Sequence, residues 1–440
     1  MLEPTTLLSA WNATVASSTQ ALALIESGPE RTYTRTALDA LATDFATALP
    51  TSVSRQRVAF ALPNSAAWFA AFLGLLRAGA TPVPLDSTET KQRQHELARS
   101  IRAAFAWING ELSPTSLPLR SSRHPAPGLI KVTSGTSGTP KAIPFTHTQM
   151  LADGRHICMS MGILPDDLNL AVIPFGHSYG LGNLVIPLIS QGTALVCADT
   201  PLPHALAALS ARHRPTVFPA VPALLRALAE ADLALDAFGS IRTVISAGSA
   251  LPAATAQAFY QKFGLKPHGF YGSTETGGIA YDSTGDDTLQ GLAVGRALHG
   301  VTITQLPRDR IHVSSAAACR RNGHRPADRA RLQPDGRLTL LGRTGRMLKV
   351  GGRRLDLGDL EAELRRLPDI LDAFAGPHPE HPEQIAAVLA TTLTPAALRV
   401  QLHQQLAPWK TPRRIVAVPA FPLTPRGKPD PAALRALLLK

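Results

Sequence analysis

Apolar residues in the first half of the chain follow two alternating spacings. Residues 36–50 and 65–78 carry Ala, Leu and Phe at the three- and four-residue intervals that gather them on one helical face. Between and after them stand short continuous apolar runs, VAFAL at 58–62 and TPVPL at 81–85, which read as buried strands. The same alternation continues through LNLAVIPF at 168–175, GTALVC at 192–197 and IRTVISAG at 241–248. It predicts an α/β fold with largely parallel strands and helices on both faces. Residues 110–128, rich in Ser and Pro, read as a surface loop. From about 285 to 341 the runs shorten and alternate (VTITQL, RIHVSS, RLTLLG), which predicts a small β-rich subdomain. GRTGRM at 342–347 punctuates the chain, and residues 346–440 carry their own helix and strand signals, those of a small α+β domain. No internal repeat or low-complexity tract is present.

Length supports this division, because 440 residues exceed what one hydrophobic core holds. A composition of 45% hydrophobic and 17% charged residues is that of a globular protein. The N-terminal residues lack a basic start followed by an apolar core, so no secretory signal is expected. The most apolar stretch, 66–76, is too short to span a bilayer and ends at Arg77. Cys158, Cys197 and Cys319 lie far apart without metal-site or disulfide-framework spacing, which points to a reducing cytoplasm. The formal charge is +12. Nucleic-acid binding through that surface would call for clustered cations with aromatics between them. Aromatics are only 5%, and the densest cluster, Arg320, Arg321, Arg325, Arg329 and Arg331, has none interleaved. A basic surface that steers ATP, a phosphorylated thiol carrier or an acidic carrier protein fits better.

The strongest local signal is LIKVTSGTSGTPKA, residues 129–142, in which an apolar strand runs into a Ser/Thr/Gly loop closed by Lys141. Glycines let backbone N–H groups approach phosphate oxygens, hydroxyls add donors, and Lys141 supplies a mobile positive charge for departing pyrophosphate. The spacing differs from GxxxxGK[ST], so this is not the loop of kinases and GTPases. A flexible Ser/Thr/Gly linker is the plain alternative.

This loop resembles the signature of the adenylate-forming (AMP-binding) superfamily, in its acyl- and aryl-CoA synthetase branch, and four further segments match that superfamily's motifs in order, from about residue 32 to 440. IPFGHSYGL (173–181) is similar to the acid-pocket segment, where His177 and Tyr179 stand in place of the Asp that grips an amino group in peptide-synthetase domains. FYGSTETGG (270–278) resembles the diagnostic strand and turn; the resemblance gives Tyr271 to adenine stacking, Thr274 to the α-phosphate and Glu275 to magnesium. SAGSALP (246–252) resembles the loop packed on adenine and the acyl group. Asp328 stands where the family has its ribose aspartate, although Pro326 and Ala327 replace Thr and Gly and the segment before it is shortened. Arg343 matches the ribose-contacting arginine, and Gly345 stands at the pivot without a side-chain latch. KVGG (349–352) matches the loop bordering the thiol tunnel, and Lys428 in PLTPRGKPD matches the lysine that bridges the carboxylate and the α-phosphate.

The resemblance thus implies an α/β protein with a large N-terminal domain, 1–344. That domain would hold two α/β subdomains to about 284, and a small β-barrel over about 285–344. A mobile C-terminal α+β domain, 345–440, would follow. Lys428, Glu275, Thr274 and His177 are the candidate catalytic residues. Thr133, Ser134, Gly135, Thr136, Ser137, Gly138, Lys141, Gly248, Ser249, Tyr271, Gly272, Asp328 and Arg343 would bind nucleotide. Phe175, Tyr179, Phe218 and Phe270 would wall the acid pocket, and Lys349, Gly351 and Gly352 the thiol channel. ATP, Mg2+ at Glu275, and CoA or a carrier-protein pantetheine are the implied cofactors; a small carboxylic acid is the substrate. The expected activity is acyl- or aryl-adenylate formation with transfer to a thiol, CoA preferred. An acyl-carrier-protein ligase and a non-catalytic nucleotide- or acyl-binding descendant are the alternatives. Neither a nucleic-acid partner nor a membrane span is expected.

Overall fold

The computed structural model describes residues 4–115, 127–133, 141–343, 346–350, 353–382, 384–424 and 427–439. Its largest layer is a nine-stranded sheet, crossed in the order Arg296–Ala297, Gly277–Tyr281, Pro267–Ser273, Thr243–Ser246, Val217–Ala220, Leu168–Ala171, Ala194–Cys197, Leu22–Glu26 and Arg31–Thr34. Every step from Pro267–Ser273 to Leu22–Glu26 is parallel, and the strands beyond at either edge are antiparallel. Ala194–Cys197, Val217–Ala220 and Thr243–Ser246 are buried at every position. That explains why they read as unbroken apolar runs: helices cover both of their faces. The helices Pro203–His213 and Pro222–Glu230 begin with proline in the first turn, where its missing N–H costs nothing.

A four-stranded sheet follows the order Thr81–Pro84, Arg57–Ala61, Phe105–Ile108, Glu111–Pro114. Its last strand corrects the loop reading of 110–128: Glu111–Pro114 pairs antiparallel with Phe105–Ile108, while 116–126 lie outside the described residues. The helix Ala66–Arg77 is capped by Ser65, whose hydroxyl accepts from the Trp68 N–H at 3.2 Å. It drives Trp68, Phe69 and Phe72 into one core with Phe60 and Phe175. Each such side chain contributes about 1.5–3 kcal/mol through removal of apolar surface from water. Among the described residues no helix is long and apolar enough to cross a membrane.

The β-rich stretch forms two antiparallel ladders, Val301–Leu306 with Arg310–Ser315, and Asp328–Leu332 with Leu338–Arg343. These two ladders share their core with the helix His147–Met161 and the strand Gly277–Tyr281, through Ile157, Ile279, Ile303, Val313, Ala330 and Leu338. Beyond residue 346 come the hairpin Met347–Val350/Arg353–Asp356 and a three-stranded sheet, Ile370–Pro377, Ile385–Thr391 and Arg414–Val418. Their cores draw only on residues of this C-terminal stretch. Ion pairs cross from the ladders to it: Arg329, paired with Asp309 of the first ladder's turn at 2.9 Å, reaches Asp359 at 2.6 Å and Asp356 at 3.2 Å. Asp356 also caps the helix Leu357–Leu364, accepting from the Gly358 N–H at 2.8 Å.

Asp167 ties the beginnings of three parallel strands together, Leu168–Ala171, Val217–Ala220 and Thr243–Ser246. It is 6% exposed and accepts from the Leu164 N–H and the Thr216 hydroxyl, each at 2.7 Å, and from both ends of the Arg242 guanidinium. Burial pushes its pKa up, but Arg242, Leu164 and Thr216 outweigh that and hold the carboxyl below its ordinary range. Asp167→Ala is expected to cost about 2 kcal/mol at neutral pH, because donors are left unpaired. With a depressed folded-state pKa, the contribution is present above the unfolded carboxyl value near 3.9 and vanishes as pH falls through the lower folded value. Thermal unfolding of both proteins between pH 7 and pH 2.5 checks it: the gap in Tm should shrink with acid, and a constant gap refutes the assignment.

Candidate active site

In open α/β sheets, ligands gather at the carboxyl ends of parallel strands. Here the strand Pro267–Ser273 ends in a turn carrying Thr274 and Glu275 before returning as Gly277–Tyr281. A register shift between Tyr271 and Gly272 re-aims the strand end. Gly272 is exposed, and a Cβ there would meet the Gly277 carbonyl oxygen at 2.7 Å, so only glycine fits. The neighbouring strand Thr243–Ser246 ends at the exposed pair Gly248 and Ser249, with Gly248 at φ +95°. Tyr271 is 8% exposed and its hydroxyl donates to Asp328 Oδ2 at 2.8 Å. Asp328 in turn opposes Arg343 across the second ladder. Tyr271 and Asp328, far apart in the chain, are therefore joined, and the backbone of Arg343 runs beside Asp328.

The C-terminal lysine arrives at the same place. The segment 422–430 folds on itself: the Thr424 N–H donates to the Lys428 carbonyl at 2.7 Å, the Gly427 N–H to the Thr424 carbonyl at 2.9 Å, and the Asp430 N–H to the Pro422 carbonyl at 2.9 Å. Gly427 sits at φ +67°, a conformation that suits glycine at this tight turn. The turn faces Val221: a Cβ on Gly427 would lie 3.2 Å from Val221 Cγ2. Lys428 then extends to Gly248, where a Cβ would stand 3.4 Å from Lys428 Cε. A Cβ at position 248 would just touch the lysine, and the left-handed backbone there favours glycine.

Thr133 and Lys141 are cross-strand partners at the mouth of the glycine-rich loop, with Lys141 exposed. Ser134, Gly135, Thr136, Ser137 and Gly138 lie outside the described residues, as do Gly345, Gly351 and Gly352. Lys349 belongs to the hairpin after residue 346, opposite Arg354. His177 precedes the short helix Ser178–Gly180, which widens into a π-turn over Leu181–Val185. π-turns of this kind often occur at functional sites. The Tyr179 hydroxyl donates to the Ile245 carbonyl at 3.0 Å, and its ring lies 5.9 Å from that of Phe270.

Two wall assignments are corrected. Phe175 is 1% exposed and packs edge-on against Trp68 and Phe69 at 5.4 and 5.2 Å, inside the core under the four-stranded sheet's helix. Phe218 is wholly buried and stacks on Phe238 at 5.9 Å. Strand alternation is the reason: Val217 faces the cluster of Phe270 and Tyr271, so Phe218 faces the opposite side.

The shortened segment before Asp328 braces the turn. The Cys319 N–H donates to the Glu275 carbonyl at 2.8 Å, and Gln149 Nε2 donates to the Ala318 carbonyl at 2.7 Å. Among the described residues no group of three or more His, Cys, Asp and Glu forms a metal cage. A lone carboxylate such as Glu275, on a turn with hydroxyl neighbours, still suits magnesium, which is commonly held by one or two carboxylates together with substrate phosphates.

The sequence matches the AMP-binding enzyme family over residues 11–127 and 120–309. The chain belongs to that family. Among curated relatives, a sulfoacetate–CoA ligase of Cupriavidus necator is 25% identical, over 85% of this chain and 86% of its own. A 2-hydroxy-7-methoxy-5-methyl-1-naphthoate–CoA ligase of Streptomyces carzinostaticus is 28% identical over 70% of this chain, which spans 62% of that relative's length. ATP-bound MatB from Rhodopseudomonas palustris superposes with a TM-score of 0.83 over 98% of both chains at 21% identity, a likeness of fold.

Proposed function

We propose that this chain is an ATP-dependent carboxylic acid ligase that forms an acyl- or aryl-adenylate with release of pyrophosphate and then passes the acyl group to a pantetheine thiol, CoA preferred. The observation that carries the reading is the Lys428 side chain lying beside Gly248, just past the strand Thr243–Ser246, whose neighbour Pro267–Ser273 carries Tyr271, bonded to Asp328, and runs into the turn of Thr274 and Glu275. Tyr271 would pack on the adenine, Asp328 and Arg343 would hold the ribose, and Thr133 to Gly138 with Lys141 would cradle the leaving phosphates. Lys428 neutralises both the carboxylate and the α-phosphate and holds the attacking oxygen near phosphorus. Thr274 donates to the phosphoryl oxygens as charge builds there. Magnesium bound at Glu275 would supply charge neutralisation of the phosphates. The carboxylate oxygen bonds to the α-phosphorus as the bond to pyrophosphate breaks; the thiolate then attacks the carbonyl and AMP leaves.

Tyr179 and Phe270, ring beside ring, favour a planar aryl or short acyl group in the acid pocket, with His177 just before the short helix that carries Tyr179. The domain division at about residue 345 is part of the reading, with the C-terminal part turning so that Lys349 to Gly352 border the thiol in the second step. Cys158 and Cys197 are buried free thiols, and burial pushes Cys158 up to about 12, which is compatible with a cytoplasmic setting. ATP–pyrophosphate exchange against a panel of aryl, short, medium and long acids tests the proposal. Exchange with an aryl or short acid well above the acid-free rate is the expected result. A panel with no response overturns it.

A further inference from the structure

A charged residue occupies an inward position of the apolar strand Leu129–Thr133. Lys131 is 2% exposed, and its ammonium lies 4.3 Å from the centroid of the Phe145 ring and 3.9 Å from Asp153 Oδ2. Its nitrogen makes no hydrogen bond among the described residues. Burial pushes the Lys131 pKa down, while Asp153, Cys319 and Glu275 push it back. Asp153 is equally buried, at 2%. Its Oδ1 accepts from the Gly278 N–H at 2.9 Å, just past the turn that carries Thr274 and Glu275. A Cβ on Gly277 would fall 2.1 Å from the same oxygen, and one on Gly182, in the π-turn of the acid-pocket segment, 3.3 Å from Oδ2. Asp153 is thus wedged between the phosphate turn and the helix that carries Tyr179.

A buried ion pair at this separation is a poor stabiliser, since well-packed apolar residues of similar size usually serve stability as well or better. Its location offers another use. We propose that Lys131 and Asp153 are positioning residues for the magnesium carboxylate: Asp153 clamps the turn through Gly278, and Lys131 cancels the Asp153 charge so that Glu275 keeps the local balance that a magnesium–triphosphate complex requires. The inference rests on the reading of Glu275 as the magnesium ligand.

Asp153→Asn keeps the shape and an acceptor for Gly278 and removes the carboxylate that counters the effect of burial on Lys131, so an unmatched charge stands beside the turn of Glu275 at any pH low enough to keep the buried ammonium protonated. That charge repels a divalent cation and attracts a triphosphate. Calorimetric titration with ATP, with and without Mg2+, reads the effect directly. The Mg2+-dependent gain in ATP affinity should fall about tenfold or more in Asp153→Asn, while Mg2+-free ATP binds as well as or better than to wild type. The double variant Lys131→Met/Asp153→Asn, neutral and of similar volume, should recover the gain to within about threefold. Its Tm and its gain decide the matter even where the single variant folds poorly. A purely structural role would weaken ATP binding alike with and without Mg2+. The inference is overturned by a full Mg2+ gain in Asp153→Asn that persists as the pH is lowered and the Lys131 amine is protonated, or by a double variant that loses the gain. A wild-type protein with no Mg2+ gain at all would instead overturn the reading of Glu275.

Discussion

Lys428→Ala loses about 10²–10³-fold in ATP–pyrophosphate exchange yet still passes the acyl group from a supplied acyl-adenylate to the thiol. The asymmetry follows from where the side chain lies. It reaches the cleft from the C-terminal segment 422–430 and meets it at Gly248. Its proposed work is confined to bringing two anions together before the first bond forms. Once the mixed anhydride exists, no carboxylate remains to be neutralised. Truncation should leave Tm nearly unchanged, because backbone hydrogen bonds shape that turn. Assaying the half-reactions separately on one preparation gives the answer, and equal loss of both removes Lys428 from the adenylation step.

Glu275→Gln keeps the length and packing of the side chain and removes its charge. Exchange should fall by about 10²-fold or more at fixed Mg2+, and the Mg2+ concentration for half-maximal rate should rise by at least tenfold. Mg2+-free ATP should bind no worse, since a carboxylate no longer faces the triphosphate. The turn itself should hold, because backbone contacts fix it: the Glu275 carbonyl accepts from Cys319, and the Gly278 N–H donates to Asp153. An unchanged Mg2+ response would disqualify Glu275 as the metal ligand.

The parallel core was legible because its strands are buried on both faces and so carry uninterrupted apolar runs; observed strands at Arg57–Ala61, Thr81–Pro84 and Ala194–Cys197 fall within or beside the runs read. The helices Arg35–Ala48 and Ala66–Arg77 lie within two residues of their periodic segments. Glu111–Pro114 was hidden because a polar edge strand has no apolar pattern to show. Phe218 misled because a buried aromatic looks the same whichever face of a sheet it occupies; parity against Val217 decides it, and only the fold sets that parity. Lys131 did leave a trace, as a lone cation in LIKVT, but its meaning needs Asp153 in space. Arg329 read only as one member of an arginine cluster, although it bonds three aspartates.

That arginine changes the picture of the pivot. Gly345 has no side chain to fasten the C-terminal part, but Arg329 joins Asp356 and Asp359, which follow it, to Asp309, which precedes it. Arg329 is largely sheltered while Asp359 is half open to solvent, so one end of the clasp is exposed to competing ions. If the C-terminal part turns between the two steps, this clasp must let go and close again in every cycle. Ionic strength would then act as a throttle on the handover, loosening the first posture without touching a single group that meets the acid.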